Sequence, residues 1–118
     1  MPDFGPPPPI VTVVEIDPAT GFAAVSCRGR LIANYRDELY DAVHPLVSGS
    51  KRIVLDLNDV TQMDSSGLGT LIRLYVSAKT AGCELQLVNL SKAVSKLLSL
   101  TNLLSFFIII GENNVRMY

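Results

Sequence analysis

A chain of 118 residues has room for one domain and not for two independent cores. Its apolar content of 48% is that of a folded globular protein, which excludes global disorder. With 10 Lys and Arg against 11 Asp and Glu the formal charge is −1, so no excess of cations favours nucleic acid or an anionic membrane surface.

Met1 to Pro9 reads MPDFGPPPP. Consecutive prolines lack amide donors and favour extended polyproline geometry, which marks residues 1–9 as a proline-rich leader to a domain over 10–118. No positively charged start precedes an apolar core, so no signal peptide is expected. The longest apolar stretch, around Phe106–Ile110, is far short of the roughly 20 residues that span a bilayer. A soluble, cytoplasmic protein with no direct membrane insertion is the expectation.

Ile10–Ile16 is β-branched except at Glu15, Asp17-Pro18-Ala19-Thr20-Gly21 is a turn cluster, and Phe22–Cys27 resumes the apolar run. Two such runs about a Pro- and Gly-containing turn predict a hairpin, with Gly29 breaking its second strand. Asn34 can cap a helix reaching about Val47, with Leu39, Val43, Leu46 and Val47 at helical spacing and Pro45 bending or ending it at His44. Lys51–Leu57 predicts a strand, followed by a polar stretch from Asn58 to Met63. A long helix from Ser66 to about Ala81 carries Leu68, Leu71, Ile72 and Tyr75 on one face and stops at Gly82. Glu84–Val88 is the next strand, Ser91 opens a helix through Leu100, and Phe106–Ile110 is the last strand. Val115–Tyr118 reads as a frayed tail or a short extra strand. The order β-β-α-β-α-β-α-β predicts an α/β fold with a mixed, mostly parallel sheet of four or five strands, an amino-terminal hairpin and three or more helices.

Chemistry concentrates at the junction QMDSSGLGTL, which leaves a strand and opens a helix, the place where sites gather in open α/β sheets. Asp64 or Ser65 can cap the helix. Ser66 then falls at the first helical position, its hydroxyl near unpaired amides and the positive end of the helix. Gly67 and Gly69 leave that turn without bulk, open to a partner's backbone. A phosphate on Ser66 would suit a helix terminus while adding about −1.5 to −2 charges beside Asp59 and Asp64. The glycine spacing is wrong for a phosphate-binding loop, and no lysine follows it.

Catalysis and cofactors find little support. His44 is the single histidine and has no Cys or acidic partner at metal spacing, so neither a metal nor another cofactor is expected. The serines lack a nearby base and an elbow motif. Cys27 and Cys83 have apolar neighbours and are expected as free thiols in a reducing compartment. Lys92 and Lys96, one helical turn apart, are expected to be solvated.

Val54-Leu55-Asp56-Leu57, Val60 and Met63-Asp64-Ser65-Ser66-Gly67-Leu68-Gly69 resemble the signature of anti-sigma factor antagonists of the STAS domain family. The likeness extends over about Ile10–Ile110, through Gly29-Arg30-Leu31, Glu38-Leu39 and Gly82–Val88. The resemblance implies that Ser66, the second serine of the pair, is phosphorylated by an anti-sigma factor with serine kinase activity. It implies that the unphosphorylated form binds that partner and frees a sigma factor, that the phosphorylated form lets go, and that a phosphatase resets it. Asp64 and Ser65 would shape the loop and contact the kinase; Gly67, Leu68 and Gly69 would begin the covered helix; Met63, Ile32 and Asn34 complete the partner-facing set. The antagonist itself has no catalytic role. Two departures stand out. Ile32 occupies a position where the family usually has aspartate, and the closing helix common in the family does not fit between Ile110 and Tyr118. The second departure would leave an apolar patch open to a partner or to another copy, a homodimer. The alternative use of the same fold is a scaffold or adaptor, in a signalling or transport assembly, whose Ser66 is never modified.

Overall fold

The computed structural model describes residues 10–33 and 36–110. Its strands are β1 (Val11–Asp17), β2 (Phe22–Leu31), β3 (Arg52–Met63), β4 (Glu84–Val88) and β5 (Ile108–Ile110), and its helices are α1 (Arg36–Val43), α2 (Ser65–Thr80) and α3 (Lys92–Leu100). They form one sheet in the order β1-β2-β3-β4-β5, with β1 antiparallel to β2 and every other neighbouring pair parallel. Strand order advances one place at each crossover. Right-handed connections therefore lay all three helices on one face.

Side-chain alternation agrees with that layering. Ala23, Val25 and Cys27 of β2, Ile53, Leu55 and Leu57 of β3, Leu85 and Leu87 of β4, and Ile109 of β5 are buried together on one face. Their registers align: Val25 lies beside Leu55, Leu55 beside Leu87, and Leu87 beside Ile109. Against them pack Leu39 and Val43 of α1, Leu68, Leu71, Leu74 and Ala78 of α2, and Val94 and Leu98 of α3. The α2 stripe thus runs through Leu74 and Ala78, while Ile72 and Tyr75 are half-buried at its edges. Tyr75 packs on Phe107 edge-to-face at 5.6 Å and on Phe106 at 4.8 Å.

Several boundaries differ from the expectation for local reasons. Gly29 does not break β2. At φ +111 it carries the strand through an irregularity where the β2–β3 register shifts, and the pairing resumes to Leu31. The polar stretch Asn58–Met63 is strand, because it pairs with Arg28–Leu31 beyond the end of β4. Only Val60 in it is buried; its polar side chains face water on a two-stranded extension. The first helix yields at Pro45 to a 3-10 turn over His44–Leu46. Asn34, its expected cap, lies outside the described residues, as do the leader and residues 111–118. β5 starts at Ile108 because Phe106 closes a turn, its N–H donating to the Leu103 carbonyl at 3.1 Å.

Cys27 and Cys83 are both free and buried, as expected. Burial, with the nearby Asp56 carboxylate adding to it, pushes the Cys27 thiol up to about 12. His44 stacks on Tyr40 at 4.9 Å, and Arg73 covers that ring at 4.2 Å. No cluster of metal-binding side chains occurs among the described residues.

Candidate functional site at the start of the second helix

The extension of β2 and β3 ends at Leu31 and Met63, side by side. There the chain turns through Asp64 into α2. Asp64 has extended geometry, φ −117 and ψ −174, and its main-chain carbonyl accepts the first helical bond from the Leu68 N–H at 3.0 Å. Its Oδ1 accepts from the N–H groups of Ser66 at 2.9 Å and Gly67 at 3.0 Å. Asp64, not Ser65, is therefore the cap. Its other oxygen, Oδ2, accepts from the Ala33 N–H at 3.1 Å. One carboxylate thus ties the start of α2 to the segment that leads into α1.

With Asp64 as the cap, Ser65 takes the first helical position and Ser66 the second, one place later than expected. The shift changes the surroundings of the Ser66 hydroxyl. Two amides expected to be unpaired, those of Ser66 and Gly67, are occupied by Asp64. Ser66 is half-buried and Ser65 exposed. Thr70, 1% exposed, donates its hydroxyl to the Ser66 carbonyl at 3.1 Å and fixes the same turn. Asp59 lies five residues before Asp64 along extended chain, roughly 16 Å away. Asp64 is therefore the carboxylate that a charge on Ser66 would meet.

Gly67 is buried against the end of β2. A Cβ there would sit on the Leu31 carbonyl oxygen and 2.8 Å from Leu31 Cγ. The space that glycine leaves is filled by the chain's own backbone. Leu68 is buried in the core. At Gly69 a Cβ would meet nothing within 4 Å, so this glycine is the one with open space. Ile32, Met63 and Asp64 are half-buried neighbours on one wall of a groove of about 620 Å³. Its other wall is α3, through Lys96, Leu97 and Leu100. Arg30 sits in the same groove, its Nη1 donating to Gln62 Oε1 at 3.3 Å. Sequence reasoning assigned no site role to Lys96, Leu100 or Thr70. The available signal was the spacing of a threonine four residues after the serine and of three α3 side chains at helical intervals.

A model of the STAS domain matches residues 13–116. The chain belongs to the STAS domain family. This STAS domain is 31% identical over 83 residues to a STAS-domain containing protein of Pseudomonas aeruginosa (strain UCBPP-PA14), covering 70% of this chain and 82% of the relative. An anti-sigma factor antagonist from Mycobacterium paratuberculosis superposes with a TM-score of 0.74 at 26% identity, over 85% of this chain and 84% of that one. The anti-sigma factor antagonist SpoIIAA in its unphosphorylated form shares the fold, with a TM-score of 0.70 at 16% identity over 86% and 90% of the two chains. The phosphorylated form of the Bacillus SpoIIAA gives 0.66 at 15%, over 86% and 93%. The STAS domain thus has the mixed α/β architecture expected from its sequence, and no helix among the described residues is long and apolar enough to cross a membrane.

Proposed function

We propose that this STAS domain is an anti-sigma factor antagonist whose binding is switched by phosphorylation of Ser66. The reading rests on one arrangement: a half-buried serine at the second position of α2, with the cap carboxylate of Asp64 already holding the first-turn amides. Unmodified, the surface around Ser65, Ser66, Gly69, Ile32 and Met63 docks on an anti-sigma factor with serine kinase activity. A phosphate adds about −1.5 to −2 charges next to Asp64. The helix terminus offsets part of that charge, but two anions then compete for one set of amides. If the phosphate displaces Asp64, the Ala33 N–H loses its acceptor and the segment bearing Ile32 loosens. If it does not, the partner meets about −2.5 to −3 charges where Asp64 alone carried one, on a surface it must desolvate. Either way affinity drops while the sheet and helices persist. A phosphatase restores the binding form, and the protein, cytoplasmic like its partners, turns over no substrate of its own.

The test is to incubate the protein with the kinase-type anti-sigma factors of its source and identify the modified residue by peptide mass. Affinities of unmodified protein, phosphorylated protein and Ser66→Ala are then compared at one salt concentration. Phosphate on Ser66 with weakened binding, and Ser66→Ala binding like wild type without accepting phosphate, is the expected result. Binding without phosphorylation by any of these kinases would instead mark a scaffold or adaptor.

A further inference from the structure

We infer that β1 is a self-pairing edge, along which two copies of this chain join antiparallel into one ten-stranded sheet. β1 is the outermost strand, with β2 its one partner among the described residues. Every second N–H and C=O of such a strand points away from its partner, free to pair with another chain. Soluble proteins protect edges of this kind with charged side chains, lysine above all, or with proline, bulges or short length. Of these β1 has only the carboxylates Glu15 and Asp17, both at its carboxyl end. It is seven residues long, VTVVEID, without Lys, Arg, Pro or Gly, and its register with β2 is unbroken. The opposite edge, β5, has three residues. β1 also holds four of the seven large apolar side chains left exposed among the described residues: Val11 at 49%, Val13 at 57%, Val14 at 39% and Ile16 at 60%.

Charge and proline select the second copy's register. Pairing about Val14 uses all seven residues, setting Val14 against Val14, Thr12 against Ile16, Val13 against Glu15 and Val11 against Asp17. No carboxylate then faces a carboxylate. Pairing about Glu15 opposes two glutamates, and pairing about Ile16 opposes Glu15 to Asp17; both are destabilising. Pairing about Val13 brings Asp17 opposite Pro9, which has no N–H for the ladder. The Val14 register keeps the helices of both copies on the same side of the sheet. It also points the carboxyl ends of β2 and β3 in opposite directions, so both Asp64 junctions stay free. The inference is independent of any role for Ser66.

Sedimentation equilibrium from micromolar to near-millimolar protein should show the mass rising from 12.8 kDa toward twice that value. Val14→Lys sets two lysines against each other and should raise the dissociation constant about tenfold or more. Val13→Lys faces Glu15 of the second copy and should keep the dimer within about threefold of wild type. Association through a different apolar surface, or in another register, would not separate the two lysines in this way. Hydrogen exchange of wild type supplies a readout that needs no variant: β1 amides should gain protection as concentration rises. A monomer at all concentrations, as when residues 111–118 of the same chain occupy the edge, overturns the inference. So does equal weakening by both lysines, or a dimer indifferent to Val14→Lys.

Discussion

Asp64 is the residue on which the site's geometry depends, and its replacement separates its roles as cap and as charge. Asp64→Ala removes the acceptor for the Ser66, Gly67 and Ala33 amides together. Loss of a cap of this kind costs about 0.5–2 kcal/mol. The half-buried position and the third bond put this case at the upper end, so about 2 kcal/mol is expected. For a domain of this size that lowers Tm by roughly 6–9 °C. Asp64→Asn keeps an oxygen for the helix amides, and asparagine caps about as well as aspartate. Its NH₂ group cannot accept from Ala33, so the loss is that one exposed bond, about 0.5–1 kcal/mol. Urea melts of the three proteins give the ranking, with equal slopes showing that the unfolded states are comparable. Should Asp64→Ala melt within about 0.5 kcal/mol of wild type, the carboxylate does not hold the junction and the account of the switch fails.

The two glycines of the turn should part company: Gly67→Ala forces a methyl onto the Leu31 backbone and should cost about 1–3 kcal/mol or more, whereas Gly69→Ala meets open space and should gain about 0.5–1 kcal/mol, both read from melts. Cys27 should resist thiol reagents at pH 8 in the folded protein and react at once in denaturant, as measured by thiol titration. Its folded pKa of about 12 lies above the ordinary 9.0, so the unfolded chain loses the proton first. The stability that burial of the neutral thiol contributes is intact below pH 9 and falls as pH rises toward 12; Cys27→Ala should decline less over that window. Ser66→Asp should keep its fold, since a carboxylate suits a helix start, but bind the anti-sigma partner more weakly than Ser66→Ala in a pull-down at matched salt.

Element order and the position of the junction were legible because they depend on periodicities of two and 3.6 residues and on local breakers, whereas the placing of all three helices on one face needed the strand order. Gly82 at φ +75 after α2 and Ser91, whose hydroxyl accepts from the Val94 N–H, are where sequence placed them. What sequence did not convey depends on residues distant in the chain. Asn58–Met63 is polar by local composition and becomes strand only because Arg28–Leu31 lies beside it. The second bond of the Asp64 cap is also non-local: Ala33, just past the end of the neighbouring strand β2, donates to its other oxygen. Gly67 looked like an opening for a partner because nothing local indicates that Leu31 presses on it. The groove wall from α3 was hidden for the same reason, since Lys96 and Leu100 reach Ile32 and Met63 only in the folded sheet.

The Asp64–Ala33 bond spans 31 residues of sequence, and the Leu31–Gly67 approach spans more. Neither can form in a short peptide cut from around Ser66, nor in a nascent chain before β2 and β3 have paired in parallel, a slow step that must first close a long loop. An enzyme that reads the serine through this capped turn is therefore blind to unfolded copies. Under the proposed switch, modification of Ser66 would then report on completed folding, and newly made or damaged chains would stay out of the modified pool.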